Sequence, residues 1–115
     1  MFMLLSINNT TFKVKIAISE KETQKGMMGK KFNQDFNGML FIMNSDENCF
    51  WMNNCITNLD IIFIEDNKIT KIHHNCPPCK DDECRNYCGI GNTILEVQGG
   101  TCRKKGIEVG DEVSY

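Results

Sequence analysis

The chain has 115 residues, 41% of them hydrophobic and 24% charged, with a formal net charge of −2. That length supports one domain, 1–115, with a real core, and the composition excludes a disordered or fibrous chain. A pI of about 5.6 argues against a nucleic-acid surface, and no apolar stretch approaches the ~18 residues of a membrane span.

Met1-Phe2-Met3-Leu4-Leu5 is apolar but has neither a basic leader nor a small-residue cleavage site. It reads as a first strand and not as a signal peptide, so the default compartment is cytoplasmic. Phe12-Lys13-Val14-Lys15-Ile16 alternates apolar and polar, the period of a half-buried strand. With the turn residues Asn8-Asn9-Thr10 before it, residues 2–7 and 11–18 form an opening hairpin. Ser19 and Glu22 then make a capping box for a short helix from Glu20 to Met28, ended by Gly29.

Strands follow at 38–43 and 49–52, divided by the polar turn 44–48. Leu59-Asp60-Ile61-Ile62-Phe63-Ile64 is a nearly continuous apolar run, the mark of a central strand covered on both faces. Asp66-Asn67 turns the chain into an alternating strand, 68–73. A cysteine-rich loop comes next, then a strand at 93–98. Thr101 caps one helical turn through Lys105, and a last strand occupies 112–115. Short strands at even spacing with one or two small helices predict a mainly β protein, a compact sandwich or barrel.

Six segments add a specific resemblance: Lys25-Gly26-Met27-Met28, Gly38-Met39-Leu40-Phe41, Phe50-Trp51-Met52-Asn53-Asn54, Leu59-Asp60-Ile61-Ile62-Phe63-Ile64, Pro77-Pro78-Cys79 and Gly106-Ile107-Glu108-Val109-Gly110-Asp111. In this order and spacing they resemble the DUF192 (UPF0127) family of small uncharacterised proteins, across about Phe12 to Val113. The resemblance implies a jelly-roll-like β-sandwich, and many similar proteins look exported. The chain departs from the family pattern at Asn53, where Lys is usual, and at Asn58, where Pro is usual. The family's loop often carries a cysteine pair spaced like Cys79 and Cys84.

Four of the seven cysteines, Cys76, Cys79, Cys84 and Cys88, lie in that loop. One reading nests a Cys76–Cys88 disulfide outside Cys79–Cys84, stapling a loop too polar to bury anything, with Pro77 and Pro78 stiffening its stem. The alternatives are zinc bound through the four thiolates, with His73 or His74 able to replace one, and thiols left free. Pro77-Pro78 counts against zinc, because residues there usually donate N–H groups to the sulfurs. Cys49, Cys55 and Cys102 have no evident local partner, and an odd count leaves a free thiol.

The remaining candidates are Trp51, Asn54, Asp60, His73 and Glu96. Trp51 is the single tryptophan, and alternation places it opposite Phe50 and Met52, free to floor a cleft with Asn54. Asp60 inside an apolar strand needs partners: it is a functional acid, or it accepts N–H bonds from the Asn53-Asn54-Cys55 turn. Glu96 faces solvent or that same cleft. His73 ends a strand at the mouth of the loop, and His74 points to the opposite face.

The sequence has no nucleophile elbow, phosphate loop or paired-histidine metal motif. The expected function is therefore a non-catalytic module, monomeric or weakly dimeric, binding a small molecule or a protein partner without a cofactor. The alternatives are a hydrolase-like enzyme using Asp60, Glu96 and a histidine, and the zinc module.

Overall fold

The computed structural model describes all 115 residues. The elements in chain order are β1 (Phe2–Ile7), β2 (Thr10–Ala17), α1 (Glu20–Lys25), β3 (Gly38–Ile42), β4 (Glu47–Phe50), β5 (Leu59–Glu65) and β6 (Lys68–Cys76). Then come a 3₁₀ turn (Asp81–Glu83), β7 (Tyr87–Ile90), β8 (Thr93–Gln98), α2 (Thr101–Lys105) and β9 (Val113–Ser114). No helix is long and apolar enough to cross a membrane.

Local chemistry explains most boundaries. Ser19 accepts from the Glu22 N–H while the Glu22 carboxylate accepts from the Ser19 N–H, so the capping box opens α1. The helix stops at Lys25 instead of running to Met28, because Gly26 takes a positive φ of 46° and drops Met27 into the core. Asp66 and Asn67, both with positive φ, make the tight turn between β5 and β6. Gly100, not Thr101, is the N-cap of α2, and its own N–H is taken by Asp60.

Seven strands form one sheet in the order β6-β5-β8-β3-β2-β1-β9, antiparallel except for the β2–β3 pair, which α1 connects. The sheet curls until its first edge meets the segment entering β9. There Ile69 N–H donates to Asp111 O (3.0 Å), Gly110 N–H to Ile69 O (2.8 Å) and Val113 N–H to Asn67 O (2.8 Å). The mainly β expectation holds, in the form of a half-barrel. Its second layer is only the two-stranded ribbon β4–β7.

Each face of the curled sheet carries its own core. Leu5, Val14, Leu40, Ile62, Leu95 and Val97 fill the inside, and Cys102 and Ile107 from the α2 segment pack among them. Phe41, Leu59, Ile61, Phe63 and Ile94 line the outside, where Met27, Phe36, Met52 and Tyr87 cover them. Burying a side chain such as Phe63 contributes about 1.5–3 kcal/mol, and β5, buried on both faces from Leu59 to Ile64, supplies both cores.

The ribbon lies so close to the outer face that a Cβ at Gly89 would sit 2.5 Å from Phe63 Cγ. Glycine there lets β7 rest on the ring. This strand is absent from the sequence reading, in which Tyr87 and Cys88 end the cysteine loop and Gly89-Ile90 belong to no element.

Candidate functional site

Between the outer face, the end of α1 and β4 lies a cavity of about 230 Å³. The chain Thr23 to Met28 forms one wall, Phe41 and Met43 another, and Phe50, Trp51 and Cys55 a third, with Glu96 reaching it from β8. Gly26 brings the helix end close to the sheet: a Cβ there would lie 3.2 Å from Phe41 Cζ. The Phe41 and Phe50 rings meet edge to face at 5.0 Å, and Trp51, 45% exposed, stands at the opening.

Glu96 is the buried polar element of this cavity, whose α1 wall also carries Thr23, Gln24 and Lys25. It pairs with Met39 of β3 and Ile61 of β5 across the ladder, so its side chain stands on the outer face, and it is 3% exposed. Burial alone pushes its carboxyl up to about 8; neither a hydrogen bond nor a nearby charge acts on it. Cys55, a free thiol on the same cavity, is pushed up to about 12, first by burial and then by the negative charge of Glu96. The carboxyl is therefore protonated and the thiol intact at neutral pH.

Asp60 is equally buried but faces the other way. It is opposite Val97, on the inner side, and accepts three backbone N–H groups: Asn75 (2.7 Å) and Gly100 (3.1 Å) on Oδ1, and Cys102 (2.8 Å) on Oδ2. The donors belong to β6 and the start of α2, not to the Asn53-Asn54-Cys55 turn expected from sequence. That turn lies elsewhere and has its own bonds: Asn54 N–H donates to Cys79 O, and Asn54 O accepts from Gly29 N–H. Asn54 is exposed and does not line the cavity. His73 is also outside it: Nε2 lies 2.8 Å from Cys88 O, and its ring sits edge to face between Phe63 and Tyr87.

The structure thus brings Trp51 and Glu96 together and separates them from Asn54, Asp60 and His73. A hydrolase-like site built from Asp60, Glu96 and a histidine does not assemble, because the two acids point to opposite faces of the sheet.

The sulfur pairing also needs correction. Cys79 bonds Cys84, but Cys88 bonds Cys49 and not Cys76. Cys49 and Cys88 are directly opposed on β4 and β7, so the ribbon ladder brings their sulfurs together. Cys76 is buried at the end of β6 as a free thiol within hydrogen-bonding reach of His73 O. A four-thiolate zinc set from Cys76, Cys79, Cys84 and Cys88 would require both bonds to be reduced.

Sequence reasoning assigned no role to Met27, Met28, Phe41, Met43 or Cys55 in this site. The available signal was positional: Gly26-Met27-Met28 and Phe41 lie in two of the segments that carry the family resemblance. Periodicity reads them as core, which they also are.

Comparison with curated proteins returns no match. Among solved structures, a protein of unknown function from Novosphingobium aromaticivorans superposes with a TM-score of 0.86 at 29% identity, covering 99% of this chain and 85% of that one. A protein from Sinorhizobium meliloti has the same TM-score at 23% identity, covering 99% of this chain and 93% of that one, and shows the fold alone. The DUF192 model, described as an uncharacterised family, matches residues 3–115, and the chain belongs to that family.

Proposed function

We propose that this protein is a non-catalytic binding module whose ligand is a small organic molecule held in the Glu96–Trp51 cavity. One observation carries the reading. A nearly buried carboxyl group without a protein hydrogen-bond partner is costly, and native structures rarely keep one except where water or a ligand satisfies it. Here that group opens only onto a cavity lined by Phe41, Phe50, Trp51 and the methionines. Mostly apolar walls with a few placed polar groups, here Glu96 with Thr23, Gln24 and Lys25 on the α1 side, are the ordinary make-up of a small-molecule site. At about 230 Å³ it lies below the ~300–1,000 Å³ typical of drug-sized ligands, so the occupant is small.

The other titratable groups bordering the cavity do not complete an acid–base pair, since Cys55 is held in its thiol form and the exposed Lys25 ammonium stays in water. The two disulfides act as staples around the site: Cys49–Cys88 ties the ribbon that carries Phe50, and Cys79–Cys84 closes the loop beside Asn53.

A fragment screen read by amide chemical shifts tests this reading. Shifts clustered on Gly26, Phe41, Phe50, Trp51 and Glu96 are the expected result. The variant Trp51→Ala should weaken those binders at least tenfold while changing stability by less than about 1 kcal/mol, as for a half-exposed side chain. Binders that map elsewhere, or a large destabilisation by Trp51→Ala, would remove the proposal.

A further inference from the structure

We infer that the ligand of this cavity is a small alkylammonium cation, held by the Glu96 carboxylate and the aromatic rings of Phe50 and Trp51. The inference rests on the cavity being the ligand site and adds the ligand's charge class.

The argument begins with charge balance. Three titratable groups border the cavity: Glu96, Cys55 and Lys25. Lys25 belongs to the last turn of α1, where no residue is buried, so its ammonium remains in water. Cys55 is uncharged, and the Glu96 carboxyl in the empty cavity is protonated (its value is about 8). The empty site is therefore neutral.

When a cation enters, Glu96 releases its proton to solvent and the resulting carboxylate pairs with the bound charge. The site is neutral again, and no uncompensated charge is buried at either end of the process. An anion would find no cation inside to compensate it, because the Glu96 carboxyl is neutral and the Lys25 ammonium stays in water.

The walls fit the same class. Aromatic faces attract ammonium groups through the ring quadrupole, and the attraction is strongest where water is excluded. Phe50 is partly buried and Trp51 stands at the opening, while the fully buried Phe41 supports Phe50 edge to face. Met27, Met28 and Met43 fill the remaining wall with polarisable thioethers that suit N-alkyl groups. Alkylated ammonium ions also lose less hydration on entry than a bare ammonium does.

Choline and its uncharged isostere 3,3-dimethylbutan-1-ol are the probes, differing only in nitrogen for carbon at the branched centre. Binding is followed by the fluorescence of Trp51, the single tryptophan. Choline should bind at least tenfold more tightly than the alcohol at pH 8. Its affinity should rise about tenfold per pH unit from pH 6 and level off near pH 8, with close to one proton released on binding at pH 7. In Glu96→Gln, which keeps the shape of the cavity, choline should lose this advantage while the alcohol binds as before.

Equal binding of the two probes in the wild-type protein, or preference for the alcohol, would overturn the cation assignment and leave the cavity reading standing. Failure of choline to bind at any of these pH values would overturn it too. The fragment map then decides separately whether the cavity binds anything.

Discussion

Asp60 and Glu96 stand on neighbouring strands of one sheet, both almost fully buried, and they teach opposite lessons. Asp60 faces the inner core and accepts three backbone N–H groups that no other acceptor serves. It is a structural clamp, tying the end of β6 and the start of α2 to the central strand. Glu96 faces the outer core with no partner at all and a cavity in front of it. Burial of an acid therefore does not mark a site; burial without donors does.

The comparison breaks most sharply at Asp60. Asp60→Ala leaves three donors unsatisfied in or near the core, and should destabilise the fold by about 3–5 kcal/mol in chemical denaturation. Asp60→Asn should cost less, since one carbonyl oxygen survives while the new amide opposes the Cys102 N–H. A change below about 1 kcal/mol for Asp60→Ala would mean that the clamp is dispensable.

The next effect sharpens the account of the covering ribbon. Removing Cys49–Cys88 by Cys49→Ser should cost about 3–4 kcal/mol under non-reducing conditions, because the bond spans 39 residues. Removing Cys79–Cys84, which spans 5, should cost about 2 kcal/mol by the same chain-entropy reasoning. A larger loss for the short bond would reverse the ranking. Peptide mapping that links Cys76 to Cys88 would restore the nested pairing and refute the one described.

Glu96 should matter through pH and not through folding as such. Its carboxyl value is raised in the folded state, so the native protein holds a proton that the unfolded chain gives up above about 4.5. Stability therefore falls as pH rises from there to about 8, and it is fully retained below that window. Relative to Glu96→Gln, the wild type should lose about 2–3 kcal/mol between pH 5 and 7. Parallel pH profiles for the two proteins would show that Glu96 is satisfied after all.

Much of the scaffold was legible in the sequence because its signals are local. The Ser19–Glu22 capping box, the Asp66-Asn67 turn and the alternation of Phe12 to Ile16 each need only a few residues to declare themselves. β7 was not legible, since Tyr87-Cys88-Gly89-Ile90 is short and lies directly after a polar loop. With it went the Cys49–Cys88 pairing, which depends on a ladder between segments 39 residues apart. Asp60 and Glu96 were both visible as acids inside apolar strands. Which face each would occupy, and whether donors would be waiting there, depends on the sheet register and on where α2 docks. The cavity wall was hidden for a related reason: Met27 and Phe41 are buried core residues that border the cavity only because α1 stops at Gly26.

Carbon-13 observation of the Glu96 side-chain carboxyl across a pH titration of the ligand-free protein tests the central claim most directly. An ionisation midpoint near 8 is the predicted result, the signature of a buried acid without protein donors. A midpoint close to the ordinary 4.5 would mean that water or a protein donor already serves the carboxylate, and the case for this cavity as a binding site would fail.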